Sequence, residues 1–498
     1  MIAVVFVLSC TLCVVQAATA AGTTTEDDIE TIFVGQTRMT ASLNPVDGSV
    51  PWSLSSHGIS ETVYKLDKDG NLVSRFIESL TQTDDLTWAA VLKEGTLFSD
   101  GSEVNADSFS AGLNQVMEEN AIASTSIAGK MRFIPIGEYE LTIQTEKVTH
   151  VMPSHLCELT SVLFKNLGDG NYAFTGPYMV KSLDEGVQIE MVPNPYYPDA
   201  EKRSDVTIKV FRDPSTMQLA FESGDIEIAS TITADVADSL KNRGFSVASF
   251  DAGYQYFGVI NTEREFMSDP AIRQAVNLAL DRDEILSALK GGRPATGIFA
   301  GYYSFAGDND VTSDLDAAKE VLDDAGWIIG ADGMREKDGE KLRLKLITYT
   351  MRPDLPIIMQ VAVSQLENLG IEVVTELVDN VQESARGGDF DVMIYSQHTA
   401  PTSDCAHILK YLFYTGSVNN YSRYSNAEFD ALVDKIGETP NGSERDELAR
   451  QAQEILFHDL PVIYLVDPVW HIAVSDRFKD YELYCGDYYT INDTLGIA

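Results

Sequence analysis

Residues 342–377 read LRLKLITYTMRPDLPIIMQVAVSQLENLGIEVVTEL, and this stretch decides the class of fold. It opens with apolar residues at every second position from Leu342 to Leu346, which is the period of a strand with one exposed face. Apolar residues then recur at helical spacing between Ile358 and Leu369, until Gly370 ends the pattern. A second strand-like run follows at 371–377. A strand, a helix and a strand in succession predict an α/β layer.

The same alternation continues on both sides of this stretch. Apolar residues from Leu315 to Ala325 predict a helix closed by Gly326, and residues 390–395 predict a strand. Further elements are predicted as a strand at 86–92, a helix from its N-cap Asn105 toward Met117, a helix after the capping-box spacing of Ser425–Glu428, a helix from Ser443 and a strand at 462–466.

The clearest helical pattern lies at 270–289. Asp269 is placed as its N-cap, and Pro270 occupies the first helical position, where a missing N–H costs nothing. Gly291-Gly292 follows as a stop signal, so we predict one helix from Pro270 to Leu289.

Composition excludes some partners. The chain has 498 residues, with 36 Lys and Arg against 76 Asp and Glu, a net charge of −40. Because nucleic-acid affinity comes largely from Lys and Arg that neutralise phosphates, this charge argues against DNA or RNA as a partner. It also disfavours anionic membrane surfaces. The length suggests about two to four domains.

The first 30 residues look like an export segment and a linker. Ile2–Val15 is almost wholly apolar, and Ala18-Thr19-Ala20 has the form of a signal-peptidase site, so residues 1–20 are predicted as a leader. Because a positively charged start is missing, an uncleaved membrane anchor and a lipoprotein leader with Cys10 as the lipidated residue stay open. Each alternative places the body of the protein outside the cytoplasmic membrane. Residues 21–30 are predicted as a flexible tether.

The cysteines and histidines form no local motif. Cys10 and Cys13 lie in the apolar leader, so their spacing is not read as a zinc or redox site. Cys157, Cys405 and Cys485 remain; one disulfide is possible, and its pairing is open. The seven histidines lie so far apart that only the fold can bring them into a metal site.

Motifs of common enzymes are missing from the sequence. It has no phosphate-binding G-x-x-x-x-G-K-[ST] loop, no G-x-G-x-x-G, no G-x-S-x-G and no H-E-x-x-H. Carboxylates are so abundant that any two of them could be proposed as a catalytic acid/base pair, so their presence does not indicate an enzyme. A protein that is not an enzyme is expected, and a secreted enzyme of unrecognised type stays the alternative from another class.

A series of short motifs runs along the chain in a characteristic order. They are Phe174–Tyr178 (FTGPY), Asn194–Tyr197 (NPYY), Phe221–Glu227 (FESGDIE), Asn261–Thr262, Ile272–Ala275 (IRQA), Leu280–Ile285 (LDRDEI), Ala325–Trp327 (AGW), Leu369–Val373 (LGIEV) and Asn420–Asn426 (NYSRYSN). Each is weak alone, but the ordered series resembles family 5 of the extracytoplasmic solute-binding proteins of ABC importers, which carries oligopeptides, dipeptides and nickel complexes.

This resemblance implies an α/β, two-lobed periplasmic-binding-protein fold of type II, in the large cluster with an extra subdomain, with crossover strands as the hinge. The implied parts are a lobe I core of 31–54, 168–265 and 470–498, an extra subdomain of 55–167 and lobe II of 266–469. The implied function is capture of a small molecule between the lobes and delivery to a membrane permease with its ATPase subunits, without chemistry. A monomer is expected, in the periplasm or as a cell-surface lipoprotein.

The resemblance also bears on the ligand. Peptide binders of the family usually place an aspartate in a cleft loop that here corresponds to 396–404, and Pro401 stands where that aspartate is expected. Asp404 can replace it only if the loop shifts. Ala400-Pro401 resembles the nickel-type branch, although that branch's usual Trp and Tyr are His398 and Thr402 here. A nickel chelate is therefore the favoured ligand, with a short peptide as the alternative.

The residues expected in the cleft are Trp52, His57, Arg352, His398, Thr402, Tyr421 and His471. Neutral imidazole is a good donor to late first-row divalent metals, so the metal candidates are His57, His398 and His471. Arg352 can clamp a carboxylate of the chelator with two hydrogen bonds. Trp52 and Tyr421 can stack on a chelator or on a peptide plane. No resident cofactor is expected, and nickel enters only as part of the ligand.

Overall fold

The computed structural model describes residues 31–481 and 483–497, so the predicted leader and tether lie outside the described residues. The helices are α1 (Val50–Ser56), α2 (Ala106–Glu119), α3 (Met152–His155), α4 (Pro214–Ser223), α5 (Ala234–Asn242), α6 (Pro270–Ala279), α7 (Arg282–Leu289), α8 (Leu315–Asp324), α9 (Asp354–Asn368), α10 (Val381–Gly387), α11 (Ala406–Phe413), α12 (Ala427–Glu438) and α13 (Ser443–Asp459).

The strands follow the same chain order. They are β1 (Ile32–Gln36), β2 (Lys65–Leu66), β3 (Leu72–Val73), β4 (Ile77–Asp84), β5 (Thr87–Leu92), β6 (Met131–Pro135), β7 (Glu140–Thr145), β8 (Phe164–Gly168), β9 (Asn171–Phe174), β10 (Tyr178–Asp184), β11 (Gln188–Pro193), β12 (Val206–Val210), β13 (Ile228–Ile232), β14 (Ser246–Asp251), β15 (Tyr254–Ile260), β16 (Arg293–Pro294), β17 (Ile328–Ile329), β18 (Arg335–Lys337), β19 (Glu340–Lys341), β20 (Arg343–Thr348), β21 (Glu372–Leu377), β22 (Val392–His398), β23 (Val462–Asp467) and β24 (Val469–Val474).

Two large mixed sheets organise these elements, which confirms the predicted two-lobed α/β fold. The sheet of lobe I has the order β10-β11-β12-β1-β13-β24-β14, and the sheet of lobe II has the order β16-β23-β15-β22-β20-β21. The stretch 342–377 supplies β20, α9 and β21, and β20 pairs in parallel with β21 as a strand-helix-strand unit requires.

The chain passes from one sheet to the other at two places. It crosses between β14 and β15 at residues 252–253, and it returns between β23 and β24 at Pro468. These two crossovers are the predicted hinge. The resemblance places the end of the lobe I core at 265, whereas β15 already pairs inside the sheet of lobe II.

The extra subdomain contains an antiparallel sheet of order β4-β5-β7-β6, against which α2 packs. Asn105 caps α2 as predicted, and its side chain accepts a hydrogen bond from the backbone N–H of Ser108. The subdomain shares a hydrophobic core with one face of the lobe I sheet. Ile122, Ile127 and Leu159 instead join the core of lobe II, so the subdomain contacts both lobes.

The predicted single helix over 270–289 is two helices, α6 and α7. Asp269 caps α6 as predicted, but Asp281 caps a new helix by accepting from the backbone N–H groups of Asp283 and Glu284. The buried guanidinium of Arg282 donates to backbone carbonyls at the end of α6. A second N-cap inside an unbroken apolar pattern therefore divides the helix. At α12 the cap is likewise Asn426 and not Ser425.

Among the helices of the described ranges, none combines the length and the apolar character that a membrane span requires.

Candidate ligand-binding cleft

A cavity of about 60 Å³ lies between the lobes. We call it the interlobe cavity. Lobe I and its extra subdomain contribute Ser49, Trp52, Leu159 and Tyr488, and lobe II contributes Tyr254, Tyr349, Met351, Arg352, Val381, Gln382, Tyr395, Ser396, Gln397 and Tyr411. The walls are thus mainly aromatic, and no carboxylate is among the described lining residues.

Strand ends explain why these side chains meet. Tyr349 directly follows β20, and Gln397 lies at the end of its parallel neighbour β22, so both stand at the carboxyl edge of the sheet. Ligands of open α/β sheets bind outside this edge. Arg352 sits in the loop between β20 and α9, while Trp52 projects from α1 of the opposite lobe.

A buried ionic cluster joins the lobes beside the cavity. Asp487 accepts from Arg38 of lobe I, with 3.3 Å between Nε and Oδ2, and pairs with Arg352 of lobe II, with 2.9 Å between Nη2 and Oδ2. The hydroxyl of Tyr254 donates to Oδ1 of Asp487 at 2.6 Å. Burial alone raises the pKa of Asp487, but the two guanidiniums outweigh it and lower this pKa to about 2. Two arginines against one aspartate leave one excess positive charge.

Aromatic rings enclose the two arginines of this cluster. The guanidinium carbon of Arg38 lies 3.3 Å from the ring centroid of Trp52, and that of Arg352 lies 4.7 Å from the centroids of Tyr254 and Trp470. The faces of these rings attract cations, so they hold both side chains in place.

A second buried carboxylate lies near the cluster. Asp354 accepts a hydrogen bond of 3.0 Å from the hydroxyl of Tyr256, which in turn accepts one from Trp470. Burial raises the pKa of Asp354 to about 6, against the opposing effects of Tyr256 and Arg352. Asp354 therefore takes up a proton in mildly acidic solution, and the net charge of the site becomes more positive.

Three polar groups of the cavity wall have no partner among the described residues. They are Nε of Arg352, Nε1 of Trp52 and Oγ of Ser396. All three belong to buried or half-buried side chains, and two are obligate N–H donors from opposite lobes. Because an unpaired buried donor is costly, this arrangement suits a ligand with acceptor oxygens, above all a carboxylate.

The predicted cleft residues divide into two groups. Trp52 and Arg352 line the interlobe cavity. Tyr421 is buried behind the lining residue Tyr395, with 6.1 Å between ring centroids. Thr402 is buried in the loop after β22. His398 lies against Tyr254 and Tyr488, at 5.3 Å from each ring, on the side away from the cavity lining.

The structure does not bring the three predicted metal-binding histidines together. His57 is fully buried at the end of α1, where Nδ1 lies 2.6 Å from the carbonyl of Ser53. His471 lies on β24 and contacts Ser249 of β14, on the face that packs against α5. Successive strand residues point to opposite faces, so His471 points away from its buried neighbours Trp470 and Ile472. Among the described residues, no group of three or more His, Cys, Asp and Glu is arranged to hold a metal.

Asp404 is fully engaged inside lobe II. It pairs with the buried Arg445 at 2.8 Å and accepts from the backbone N–H of Ala406 at the start of α11. It is not available to bind an amino group of a ligand. The three cysteines Cys157, Cys405 and Cys485 carry free thiols.

Sequence analysis missed Arg38, Asp487 and Tyr488. Arg38 follows the end of β1, at the edge of the sheet where ligand contacts are expected, and this position is a usable signal. Asp487 and Tyr488 belong to an irregular C-terminal segment without periodicity. Only the tertiary fold brings that segment between the lobes.

Comparison with protein families gives one matching model. The model for bacterial extracellular solute-binding proteins, family 5 (middle), matches residues 71–420, which is well over half of the chain.

Individual relatives are distant but cover most of the chain. The nickel-binding protein NikA of Staphylococcus aureus is 22% identical over 89% of this chain and 89% of its own length. The oligopeptide-binding protein AppA of Bacillus subtilis is 25% identical over 84% of this chain and 82% of its own length.

Among solved structures, NikA from S. aureus in complex with Ni(L-His)2 superposes with a TM-score of 0.85 at 20% identity, covering 94% of this chain and 99% of the other. AppA of B. subtilis in complex with a nonapeptide gives a TM-score of 0.79 at 22% identity, covering 92% and 97%. At these identities the superpositions establish the fold.

Proposed function

The chain belongs to the bacterial extracellular solute-binding proteins of family 5, and on this premise we propose that it captures a small nickel chelate bearing carboxylates between its lobes. It then delivers the complex to an ABC permease and its ATPase subunits. We further propose that it acts as a monomer outside the cytoplasmic membrane, in the periplasm or anchored as a lipoprotein, and performs no chemistry.

The observation that carries the proposal is the pair of unpartnered donors, Nε of Arg352 and Nε1 of Trp52, on opposite walls of the interlobe cavity. A carboxylate has two oxygens and can satisfy one donor on each lobe at the same time. Such a ligand binds best when the lobes are closed, so it shifts the population toward the closed state.

The absence of an acidic anchor among the described lining residues supports a chelate over a peptide amine. Pro401 stands where an aspartate is expected, and Asp404 is bound to Arg445. The charged groups next to the cavity are the Arg38–Asp487–Arg352 cluster, which has one excess positive charge, and Asp354, which offsets it above its pKa of about 6. Below that pH the net field favours a carboxylate and disfavours an ammonium group.

The metal in this proposal is cargo held by its carrier molecule. Because the described part of the chain offers no cluster of three donors, the chelator has to supply most of the metal ligands. Imidazole nitrogens and carboxylates of a small amino-acid chelator suit Ni²⁺. The similarity to NikA supports this ligand class.

A short peptide is the second candidate. The same unpartnered donors can accept the carboxyl terminus of a di- or tripeptide, and the similarity to AppA supports this class.

Calorimetry on the full chain separates the candidates. We expect saturable binding of Ni²⁺ plus L-histidine, and no heat of binding with trialanine. Trp52→Phe keeps an aromatic ring but removes the N–H donor together with part of the face that stacks on Arg38, so it should weaken chelate binding about tenfold. Trp88→Phe is the matched control, because its buried Nε1 is equally unpartnered but lies in the extra subdomain.

Saturable binding of trialanine with no response to nickel–histidine would overturn the nickel assignment in favour of the peptide. Mass spectrometry of the released ligand tests the claim that no chemistry occurs, because a chemically altered ligand would contradict it.

A further inference from the structure

A second and larger pocket of about 510 Å³ opens beside the first hinge crossover. We call it the hinge pocket. Its wall includes Asp67, Asp251, Gly253, Tyr302, His398 and Cys485. None of its described lining residues lines the interlobe cavity, and His398 packs against Tyr254 and Tyr488, which do line that cavity.

A thiol and an imidazole meet in this pocket. Sγ of Cys485 lies 3.5 Å from Nε2 of His398. His398 is 1% exposed, and its Nδ1 has no partner among the described residues, so the ring is buried without full hydrogen bonding. Gly253 keeps the Nε2 edge accessible, because a Cβ at that position would lie 2.5 Å from Nε2.

The spacing of the two donor atoms matches a shared metal ion. With bonds of about 2.3 Å to sulfur and about 2.0–2.1 Å to nitrogen, a tetrahedral angle places the donors about 3.5 Å apart. We propose that Cys485 and His398 form a two-donor site in the hinge pocket for a tetrahedral late first-row divalent ion. The remaining coordination positions are taken by small exogenous ligands that enter from the pocket.

Metal binding at this site exchanges the thiol proton for the ion. Burial lowers the pKa of His398 to about 3, so the imidazole stays neutral at physiological pH and can offer a nitrogen lone pair. Burial also raises the pKa of Cys485, so the free thiol keeps its proton. The ion replaces that proton as the Sγ–metal bond forms, and the proton is released to solvent.

The surroundings favour a cation with its own ligands. Asp67, Asp69 and Asp251 stand around the pocket with Lys68, which gives the rim an acidic balance. No third His, Cys, Asp or Glu of the described residues completes the site. The pocket should therefore take a metal with exogenous ligands more readily than a bare ion.

This inference goes beyond the proposed function, because it assigns a second metal site outside the interlobe cavity. It also distinguishes Cys485 from the other two cysteines of the described residues. Cys157 and Cys405 are both buried, and Sγ of Cys157 donates to the carbonyl of Pro401 at 3.8 Å and not to His398.

Cobalt spectroscopy on the full, reduced chain tests the site. Co²⁺ titration should give one equivalent bound, with a near-ultraviolet thiolate-to-cobalt charge-transfer band and intense visible bands of tetrahedral cobalt. Cys485→Ser should abolish the charge-transfer band, and His398→Gln should weaken binding at least tenfold. Cys157→Ser, Cys405→Ser and the double substitution Cys10→Ser with Cys13→Ser should each leave the spectrum unchanged.

A spectrum without a charge-transfer band, or a band that persists in Cys485→Ser, would overturn the proposal. If Cys485→Ser does not fold, alkylation of the native chain decides: cobalt must protect Cys485, and equal labelling with and without metal refutes the site. Nickel–histidine calorimetry separates the two sites, because Cys485→Ser should retain binding in the interlobe cavity.

Discussion

At the scale of single residues, Asp487 holds the geometry of the candidate ligand site. Its carboxylate holds Arg38 and Arg352, which come from opposite lobes and would repel each other without it. All three side chains are buried, so their charges are only weakly screened by solvent. The geometry of the site therefore depends on this one aspartate.

Replacing Asp487 by Asn should destabilise the protein by about 3–5 kcal/mol at neutral pH, because it leaves two buried cations uncompensated. The pKa of Asp487 is lowered to about 2, so its stabilising effect should be present above pH 4 and decline as the pH falls toward 2. Urea unfolding at several pH values measures both effects. The exposed Asp480→Asn is the control, and a variant as stable as the wild type would contradict the account.

For Asp467 we expect the opposite dependence of stability on pH. It accepts from the side-chain amide of Gln255 at 2.5 Å and from the backbone N–H of Gly301 at 3.2 Å, and burial raises its pKa from 3.8 to about 6. The folded state thus binds more protons than the unfolded state between these values, and stability should fall as pH rises from 4 to 6.

In Asp467→Asn this contribution should disappear. The difference in unfolding free energy between the wild type and the variant should change by on the order of 3 kcal/mol between pH 4 and pH 8. Parallel urea titrations measure it, with the exposed Asp308→Asn as control. If the difference in unfolding free energy stays the same from pH 4 to pH 8, the pKa of Asp467 is not raised.

At the scale of elements, capping residues set helix boundaries that apolar periodicity alone does not determine. The pattern over 270–289 is continuous, yet Asp281 begins a new helix and Arg282 closes the previous one. Asp269 acts as the N-cap of α6, and Asp281 acts as the N-cap of α7. The apolar pattern gives no sign of the second cap, which the structure shows together with the packing of Arg282 against the end of α6.

Asp281→Ala should therefore cost about 1 kcal/mol of stability, because two backbone N–H groups at the start of α7 lose their acceptor. Urea unfolding provides the measurement. Asp316→Ala is a matched control, since Asp316 lies in the first turn of α8 but caps nothing. Equal effects of both substitutions would mean that the cap of α7 contributes no special stability.

Alternation predicts strands with one exposed face, whereas strands buried on both faces show only an apolar run, and such a run indicates β23 but not β15. β5 and β20 alternate and follow their predictions closely, but every residue of β15 is buried, so it lacks a period to recognise. In the candidate site, Trp52 and Arg352 are expected from the family resemblance, whereas Asp487 depends on the path of an irregular segment. His471 lies on β24, a strand that the sequence patterns did not predict, and strand alternation turns it away from the cleft.

At the scale of the whole molecule, contacts across the lobes stabilise the closed arrangement. Glu158 of the extra subdomain lies 3.1 Å from Nδ1 of His155 and 3.9 Å from Nδ1 of His407, which belongs to α11 of lobe II. Burial raises the pKa of Glu158, but the two histidines outweigh it and lower the pKa to about 2. His407 stacks on Tyr411, which lines the interlobe cavity. The Glu158–His407 contact therefore joins the extra subdomain to lobe II next to Tyr411 in the cavity wall.

Glu158→Gln should weaken ligand binding several-fold, mainly through faster dissociation, because it destabilises the closed state without touching the ligand. Stopped-flow release of the nickel–histidine complex measures the rate. Asp323→Asn, which removes an ion pair with Arg335 within lobe II, is the control. An unchanged dissociation rate would show that this contact does not stabilise closure.

The proposed function requires two hinged lobes that close on a small metal chelate. Small-angle X-ray scattering of the full chain tests it most directly. We expect the radius of gyration to decrease when nickel and L-histidine are added together, and to stay constant with nickel alone or with trialanine. A radius that does not respond to nickel–histidine, or that decreases with trialanine instead, would contradict the account.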